Sequence, residues 1–268
     1  RPLIIALTLA ILAAVSCQEY QAATIVVSNS GNGPGQAAVP MSVPVDLARL
    51  PGARAKPGSL RLVEETNTKP GIDASIPAQF EADQADSMRG RLWWLMPPSA
   101  VKERRFKLSA VTAADDSAAL VIKPDAEKNH YDVAEGALPV LRYNHGTVPV
   151  REGVATNYAR GDYIMPLYGL NGEVLTDDYP KDHPHHRGIS WTWPVTRWGS
   201  EVRDIWAVRG VWARPVSMRR AEAGAVFALL DAESVWKWGD TNAIVREEVL
   251  IRAFRRGGQG RIVDIEVR

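Results

Sequence analysis

The chain has 268 residues, 46% apolar and 24% charged, with 21 Gly, 18 Pro, 9 Trp and a single Cys; this is a globular composition and excludes disordered and collagen-like chains. Lys and Arg total 32 against 31 Asp and Glu, so no charge excess draws the molecule to nucleic acid or to acidic lipid. The length accommodates two domains of modest size, and one cysteine leaves no intramolecular disulfide to hold either of them.

Residues 3–15 form an unbroken apolar run behind Arg1 and end in Ser16-Cys17 before the polar Gln18-Glu19. A run of that length matches a signal-peptide core and is too short for the ~20 residues of a membrane-spanning helix. Residues 1–17 therefore read as an export signal. Cys17 follows Ala14-Val15-Ser16, which resembles a bacterial lipoprotein box except that Ala14 replaces the usual Leu. Lipidation at Cys17, cleavage further along and a plain buried thiol are the three readings. The expected location is the periplasm or cell envelope, with membrane contact only through a lipid anchor.

The glycine-rich run 28–35 lacks the Lys-Ser/Thr ending of a phosphate loop and reads as a turn or tether. Short apolar stretches at 43–47, 59–63, 91–96 and 105–111 alternate with Pro and Gly, and Phe106, Leu108 and Ala110 share one face at the strand period of two. An N-terminal β-sandwich over 24–112 follows. The small, acidic stretch 112–117 is a hinge, and 118–268 a second domain. There, strand-like runs recur at 119–123, 139–143, 162–167, 188–193, 202–212 and 225–238. Segment 241–254 fits a helix through Ala243, Glu247, Leu250 and Phe254, or a strand through Val245, Val249 and Ile251; the strand is preferred, paired with the alternating 261–268 as a long hairpin. The alternation still runs at Arg268, so this sandwich is expected to need further strands. The fold class is all-β: a small sandwich followed by a larger, C-terminally incomplete antiparallel one.

Three of the five histidines fall within four positions, in Asp182-His183-Pro184-His185-His186-Arg187-Gly188. In extended backbone His183 and His185 project to one side and His186 to the other, so the pair would hold a divalent metal ion or flank a substrate. A metal needs a third ligand, for which His145, His130, Asp162 or an acid beyond Arg268 are the candidates. Trp191 and Trp193 would share a face of the following strand. Indoles beside imidazoles, carboxylates and an arginine suit a sugar: rings stack, hydroxyls bond to polar groups, and a His near its ordinary pKa of ~6.5 moves protons at neutral pH. Asp178, Tyr163 and His145 would add polar contacts. Trp93, Trp94, Trp236 and Trp238 read as packing, and Arg255-Arg256 as a solvated hairpin tip. No nucleophile elbow, His-Glu-x-x-His or dinucleotide fingerprint occurs.

The runs Gly161-Asp162-Tyr163-Ile164-Met165-Pro166-Leu167-Tyr168 and Gly172 to Pro180, with the Asp182 to Gly188 element, resemble the bacterial family labelled "methane oxygenase PmoA". Asp204-Ile205-Trp206 and the 261–266 segment extend the likeness over roughly 138–268. The resemblance implies a galactose-mutarotase-like β-sandwich associated with carbohydrate, and its motif maps onto Asp182, His183, His185, His186 and Arg187. Methane oxidation itself is set aside, because the multi-pass membrane helices of such a subunit are not in this sequence.

The expected function is proton-transfer chemistry on a carbohydrate, such as epimerisation, elimination or glycoside cleavage. His183 or His185 would be the acid or base, Arg187 would stabilise developing charge, and Trp191 or Trp193 would stack on the ring. A non-catalytic glycan-binding or surface-assembly module is the first alternative, and a metal-dependent oxygenase or lyase the second.

Overall fold

Period-two alternation of buried side chains marks many of the strands of this chain, among them Thr24–Ser28, Ser75–Ala82 and the second half of Asn242–Phe254. The computed structural model describes residues 24–28, 38–49, 60–65, 75–99, 101–110 and 120–268. The segment read as an export signal, with Cys17, the glycine-rich run from residue 29 and the stretch 112–117 read as a hinge lie outside the described residues. Among the described residues the regular structure is strands and three-residue 3-10 turns, and no helix is long and apolar enough to cross a membrane. The chain divides into two compact units, one up to Ala118 and the other from Ala119, with residues 224–226 and 255–260 grouped with the first.

The first unit contains β1 (Thr24–Ser28), β2 (Val39–Asp46), β3 (Leu60–Glu64), β4 (Ser75–Ala82), β5 (Arg89–Met96) and β6 (Glu103–Ala110), in the antiparallel order β1-β6-β3-β4-β5-β2. β4 changes partner midway: Ser75–Pro77 pair with β3, and Ala78–Ala82 pair with β5. Alternate residues from all six strands, among them Ile25, Val43, Leu62, Phe80, Trp94 and Phe106, meet in one core. Pro40 and Pro44 sit on β2, an edge strand, where a missing N–H breaks no internal ladder.

The second unit is a sandwich of two four-stranded antiparallel sheets. One has the order β10-β9-β8-β7, from β7 (Leu120–Asp125), β8 (His130–Glu135), β9 (Leu138–Asn144) and β10 (Tyr163–Leu167). The other has the order β13-β14-β15-β16, from β13 (Val211–Ala223), β14 (Phe227–Trp238), β15 (Asn242–Phe254) and β16 (Val263–Val267). A small hairpin, β11 (Thr196–Trp198) with β12 (Glu201–Arg203), lies between them in sequence. Leu120, Val133, Leu141 and Ile164 of the first sheet pack on Leu230, Val249 and Ile251 of the second. Each such fully buried side chain contributes roughly 1.5–3 kcal/mol.

Segment 242–254 is the expected strand, paired with β16 as expected. Trp94, Trp236 and Trp238 are core residues. Two expected strands do not form. Run 202–212 is interrupted after Arg203, because Asp204 caps a turn: its Oδ1 accepts the Ala207 N–H at 2.8 Å and its carbonyl the Arg209 N–H at 2.7 Å. Run 188–193 contributes only the bridge between Ile189 and Ile164, since Gly188 adopts a left-handed φ of 46° that breaks the extended path. The 255–256 tip is only partly solvated: Arg255 is half-buried and donates to the Ala225 carbonyl at 3.3 Å.

Gly188 is where the loop meets β10. A Cβ there would stand 2.1 Å from the Ile164 carbonyl oxygen, and the positive φ already disfavours any side chain. Gly188→Ala is expected to cost roughly 2–4 kcal/mol, read as a lowered urea-unfolding midpoint of the full chain.

Candidate functional site

The inward stripe of the second sandwich changes chemistry at one level. Ala228, Leu230 and Ala232 of β14 face the core and are followed in phase by Ser234; Ala253, Ile251 and Val249 of β15 are followed by Glu247. Ser234 and Glu247 are paired across the two strands and both are buried. The opposite sheet answers with polar groups where β9 ends and β10 begins: Tyr143, His145, Arg160 and Asp162, each no more than 2% exposed.

Asp162 joins these groups. It has a left-handed φ of 62°, a conformation that Asp tolerates better than most residues, and its N–H donates to the Asn144 carbonyl at 2.6 Å. Its carboxylate accepts from the Tyr143 hydroxyl at 2.6 Å and from Trp191 Nε1 at 3.3 Å. Glu247, from the other sheet, is buried near Asp162 and the indoles of Trp191 and Trp236. Burial, reinforced by Asp162, pushes the Glu247 carboxyl up to about 9, so it is neutral at pH 7. Burial also brings the Arg160 guanidinium down to about 10, opposed by Asp162; it stays charged. The Tyr143 hydroxyl is held well above its ordinary value by burial and by Asp162. His145 is bonded through Nε2 to the Glu233 carbonyl at 3.0 Å, and burial lowers its pKa. Because a carbonyl only accepts, Nε2 carries the proton and Nδ1 is the bare nitrogen.

A second buried assembly holds the loop before Gly188. The Arg187 side chain is wholly covered; its guanidinium bonds to the Asp178 carboxylate, to the Tyr163 hydroxyl and, at 3.2 Å, to the Tyr158 carbonyl. It also lies 3.8 Å from the Tyr179 ring centroid and 4.7 Å from that of Tyr163. Burial raises Asp178 while Arg187 pulls it down, and burial pushes the Tyr163 hydroxyl up. The expectation that Arg187, Asp178 and Tyr163 meet a substrate is thereby corrected: they meet one another, because a guanidinium taken out of water needs an anion and acceptors at close range. Their placement closes the 178–187 loop.

The histidines lie on that loop, and not in extended backbone. Residues 181–186 make two successive turns, with the His183 N–H donating to the Pro180 carbonyl at 3.0 Å and the His186 N–H to the His183 carbonyl at 2.9 Å. Pro180 and Pro184, with φ fixed near the turn value, favour this path over an extended one. The predicted split of His183 and His185 from His186 is replaced by a cluster. Ring centroids are 4.8 Å apart for His183 and His186, stacked, 4.6 Å for His185 and His186, edge to face, and 5.8 Å for His183 and His185. Trp206 completes it at 4.6 Å from His185 and 5.0 Å from His186. His183 Nδ1 is 3.0 Å from the exposed Asp182 carboxylate. Nε2 of both His185 and His186 is buried without a hydrogen-bond partner among the described residues. Burial, then the neighbouring His186 and His183, hold His185 below its ordinary pKa.

Trp191 and Trp193 do not form one platform. Trp191 is half-buried against the core and bonded to Asp162, whereas Trp193 is 54% exposed and its carbonyl accepts the Trp206 N–H at 3.2 Å. Among the described residues no three His, Cys, Asp or Glu side chains are placed to hold a metal ion. The candidate third ligands for His183 and His185 are engaged elsewhere: His145 with Glu233, Asp162 with Tyr143, and His130 3.6 Å from Asp125. Sequence reasoning passed over Glu247, Arg160 and the ring of Trp206. For Glu247 a signal existed, since it continues the inward phase of Val249, Ile251 and Ala253 once the segment is read as a strand.

Two outcomes follow from the burial of these charges. Glu247 keeps its proton to about pH 9 when folded but only to 4.5, the ordinary value, when unfolded, so its stabilising contribution is full below about pH 4.5 and is lost as pH rises toward 9. Glu247→Gln is expected to flatten the decline of unfolding free energy between about pH 6 and 9, measured by urea titration across that range. Arg187→Met, which strands Asp178, is expected to cost about 3–5 kcal/mol in the same assay at neutral pH.

No curated protein and no solved structure matches this chain. A family described as a family of unknown function, DUF6807, matches residues 130–268, a span that contains the buried acids, the Arg187 assembly and the histidine cluster. That span is more than half of the sequence, and the chain belongs to the DUF6807 family.

Proposed function

We propose that this protein acts on carbohydrate by proton transfer at the histidine cluster. The observation that carries the reading is the contact of Trp206, 36% exposed, with His185 and His186. A partly exposed indole can stack on the C–H face of a pyranose, and a neutral imidazole beside it can take a proton. His185 is the base on this reading, because burial and two neighbouring imidazoles favour its neutral form. His183 and His186 hold its ring in place, and the exposed Trp193 lengthens the stacking surface. Epimerisation, elimination and glycoside cleavage all begin with such a proton transfer at carbon or oxygen. The apolar run 3–15 supports a periplasmic or cell-envelope setting for the reaction, with Cys17 as the lipid anchor.

The test is incubation of the full chain with oligosaccharides and their keto derivatives, with products read by mass spectrometry. His185→Ala is expected to lower turnover by about 10²–10⁴-fold, and Trp206→Ala to raise KM more than it lowers kcat. Full turnover by His185→Ala refutes the assignment of the base. Sugar binding without turnover by the wild type establishes a glycan-binding module instead.

A further inference from the structure

Arg255 and Arg256 border a cavity of about 430 Å³ in the first unit, a volume within the ~300–1,000 Å³ of sites that take small organic molecules. It shares no residue with the histidine cluster or the buried acids. Its wall begins on β4 and β5, where successive side chains point to opposite faces. Ile76, Ala78 and Phe80 of β4 and Leu92, Trp94 and Met96 of β5 enter the core of the unit, so Pro77 and Leu95 belong to the other face. Leu95 is nonetheless only 9% exposed, a buried leucine outside the core cluster. It lines the cavity together with Pro77, Pro97, Pro98 and Val226. Pro97, Pro98 and Arg256 are exposed, so the cavity opens to solvent.

Three backbone hydrogen bonds seat the polar side against this wall. The Val226 N–H donates to Gln79 Oε1 of β4 at 3.0 Å, the Arg255 N–H to the Val226 carbonyl at 2.8 Å, and the Ala38 N–H to the Gly257 carbonyl at 3.4 Å. A Cβ on the buried Gly257 would stand 3.0 Å from that of Ala38, so the turn lies tightly on the chain before β2. Carbonyl oxygens aim the two guanidiniums: Arg255 Nη1 donates to that of Ala225 at 3.3 Å and Arg256 Nε to that of Gly258 at 2.9 Å. Ser75 also lines the cavity. Its Oγ accepts from Arg61 Nη1 at 3.3 Å, which leaves the hydroxyl hydrogen to donate. None of the described residues that line the cavity is acidic.

We propose that this cavity binds a small organic carboxylate. The apolar body of the acid lies against Pro77, Leu95 and Val226, and its carboxylate meets the guanidiniums of Arg255 and Arg256 and the Ser75 hydroxyl. Two cations and a hydroxyl donor with no acid beside them select an anion, and the planar donor fork of arginine matches the two oxygens of a carboxylate. Proline, leucine and valine add affinity in proportion to the apolar area they cover, which an inorganic anion does not supply. The site is independent of the reaction proposed at the histidines, and either reading stands if the other falls.

The experiment is isothermal titration calorimetry of the full chain at pH 7. The probes are a panel of straight-chain and aromatic carboxylates, hexanoate and benzoate among them, the corresponding amides, inorganic phosphate, and a short peptide ending in a free leucine carboxylate. At least one free acid is expected to bind, with its amide weaker by about 10-fold or more. Arg256→Gln, at the exposed tip, should weaken that acid by a similar factor and leave the urea-unfolding midpoint unchanged. Pro98→Asp, which sets a negative charge in the wall and keeps both arginines, should weaken it too. No binding across the panel overturns the site. Equal affinity for acid and amide overturns the role of the carboxylate, and wild-type affinity in both variants overturns the location. Phosphate bound as tightly as the best acid overturns the part of the apolar wall. A peptide bound more tightly than every free acid overturns the small-molecule occupant in favour of a chain terminus.

Discussion

Burial of the Asp162 carboxylate between two β-sheets is the constraint to which the other features of the second unit respond. A carboxylate at 1% exposure is tolerated only where partners surround it, and the sequence supplies two donors, Tyr143 at the end of β9 and Trp191 after Gly188, and a nearby cation, Arg160. Each is on a different stretch of chain, so satisfying one charge fixes the relative positions of the β9 end, the β10 start and the loop that returns to them. Glu247 enters the same polar end from β15, and burial with Asp162 beside it holds its carboxyl toward the protonated form. The polar end of the sandwich is therefore determined by electrostatics as much as the apolar end is by area burial.

The Arg187 assembly has the corresponding role further out along the loop. Asp178 and Arg187 form both a backbone bridge and a buried ion pair, so the excursion between them is closed at its base and free to turn at its tip. Two prolines bend that tip. The consequence is that the histidines stand on a rigid support without being in a sheet, and their rings can touch as they could not in an extended strand. Removing the arginine would loosen that support by leaving the Asp178 carboxylate without its partner.

Much of the scaffold was legible because period two is hard to imitate. Val263, Ile265 and Val267 could only be a strand, and with them paired the ambiguous 242–254 segment had to be one also. The interrupted runs were less legible for local reasons. Asp204 looks like any polar residue in a strand until its side chain caps a turn, and Gly188 reads as a pause until its φ is known. At the site, clustering in sequence drew attention to His183, His185 and His186, and the rings do gather. What sequence could not convey is that neighbouring Arg187 faces inward, since a charged residue next to histidines looks functional whichever way it points. Glu247 is passed over for the opposite reason: it enters only as part of the helical alternative, although in the preferred strand it falls in phase with Val249 and Ile251.

The two tiers differ in the protonation that each environment favours. Three imidazoles with ring centroids no more than 5.8 Å apart cannot all be charged without strong mutual repulsion, and His185, the most crowded, is held toward its neutral, proton-accepting form. Glu247, away from water and beside Asp162, is held toward its neutral form. A carboxyl that keeps its proton and an imidazole that has lost its own, at the same pH, reverse the usual order of the two groups. Here the inversion follows from burial and neighbouring groups alone: a second carboxyl in one case, two further imidazoles in the other.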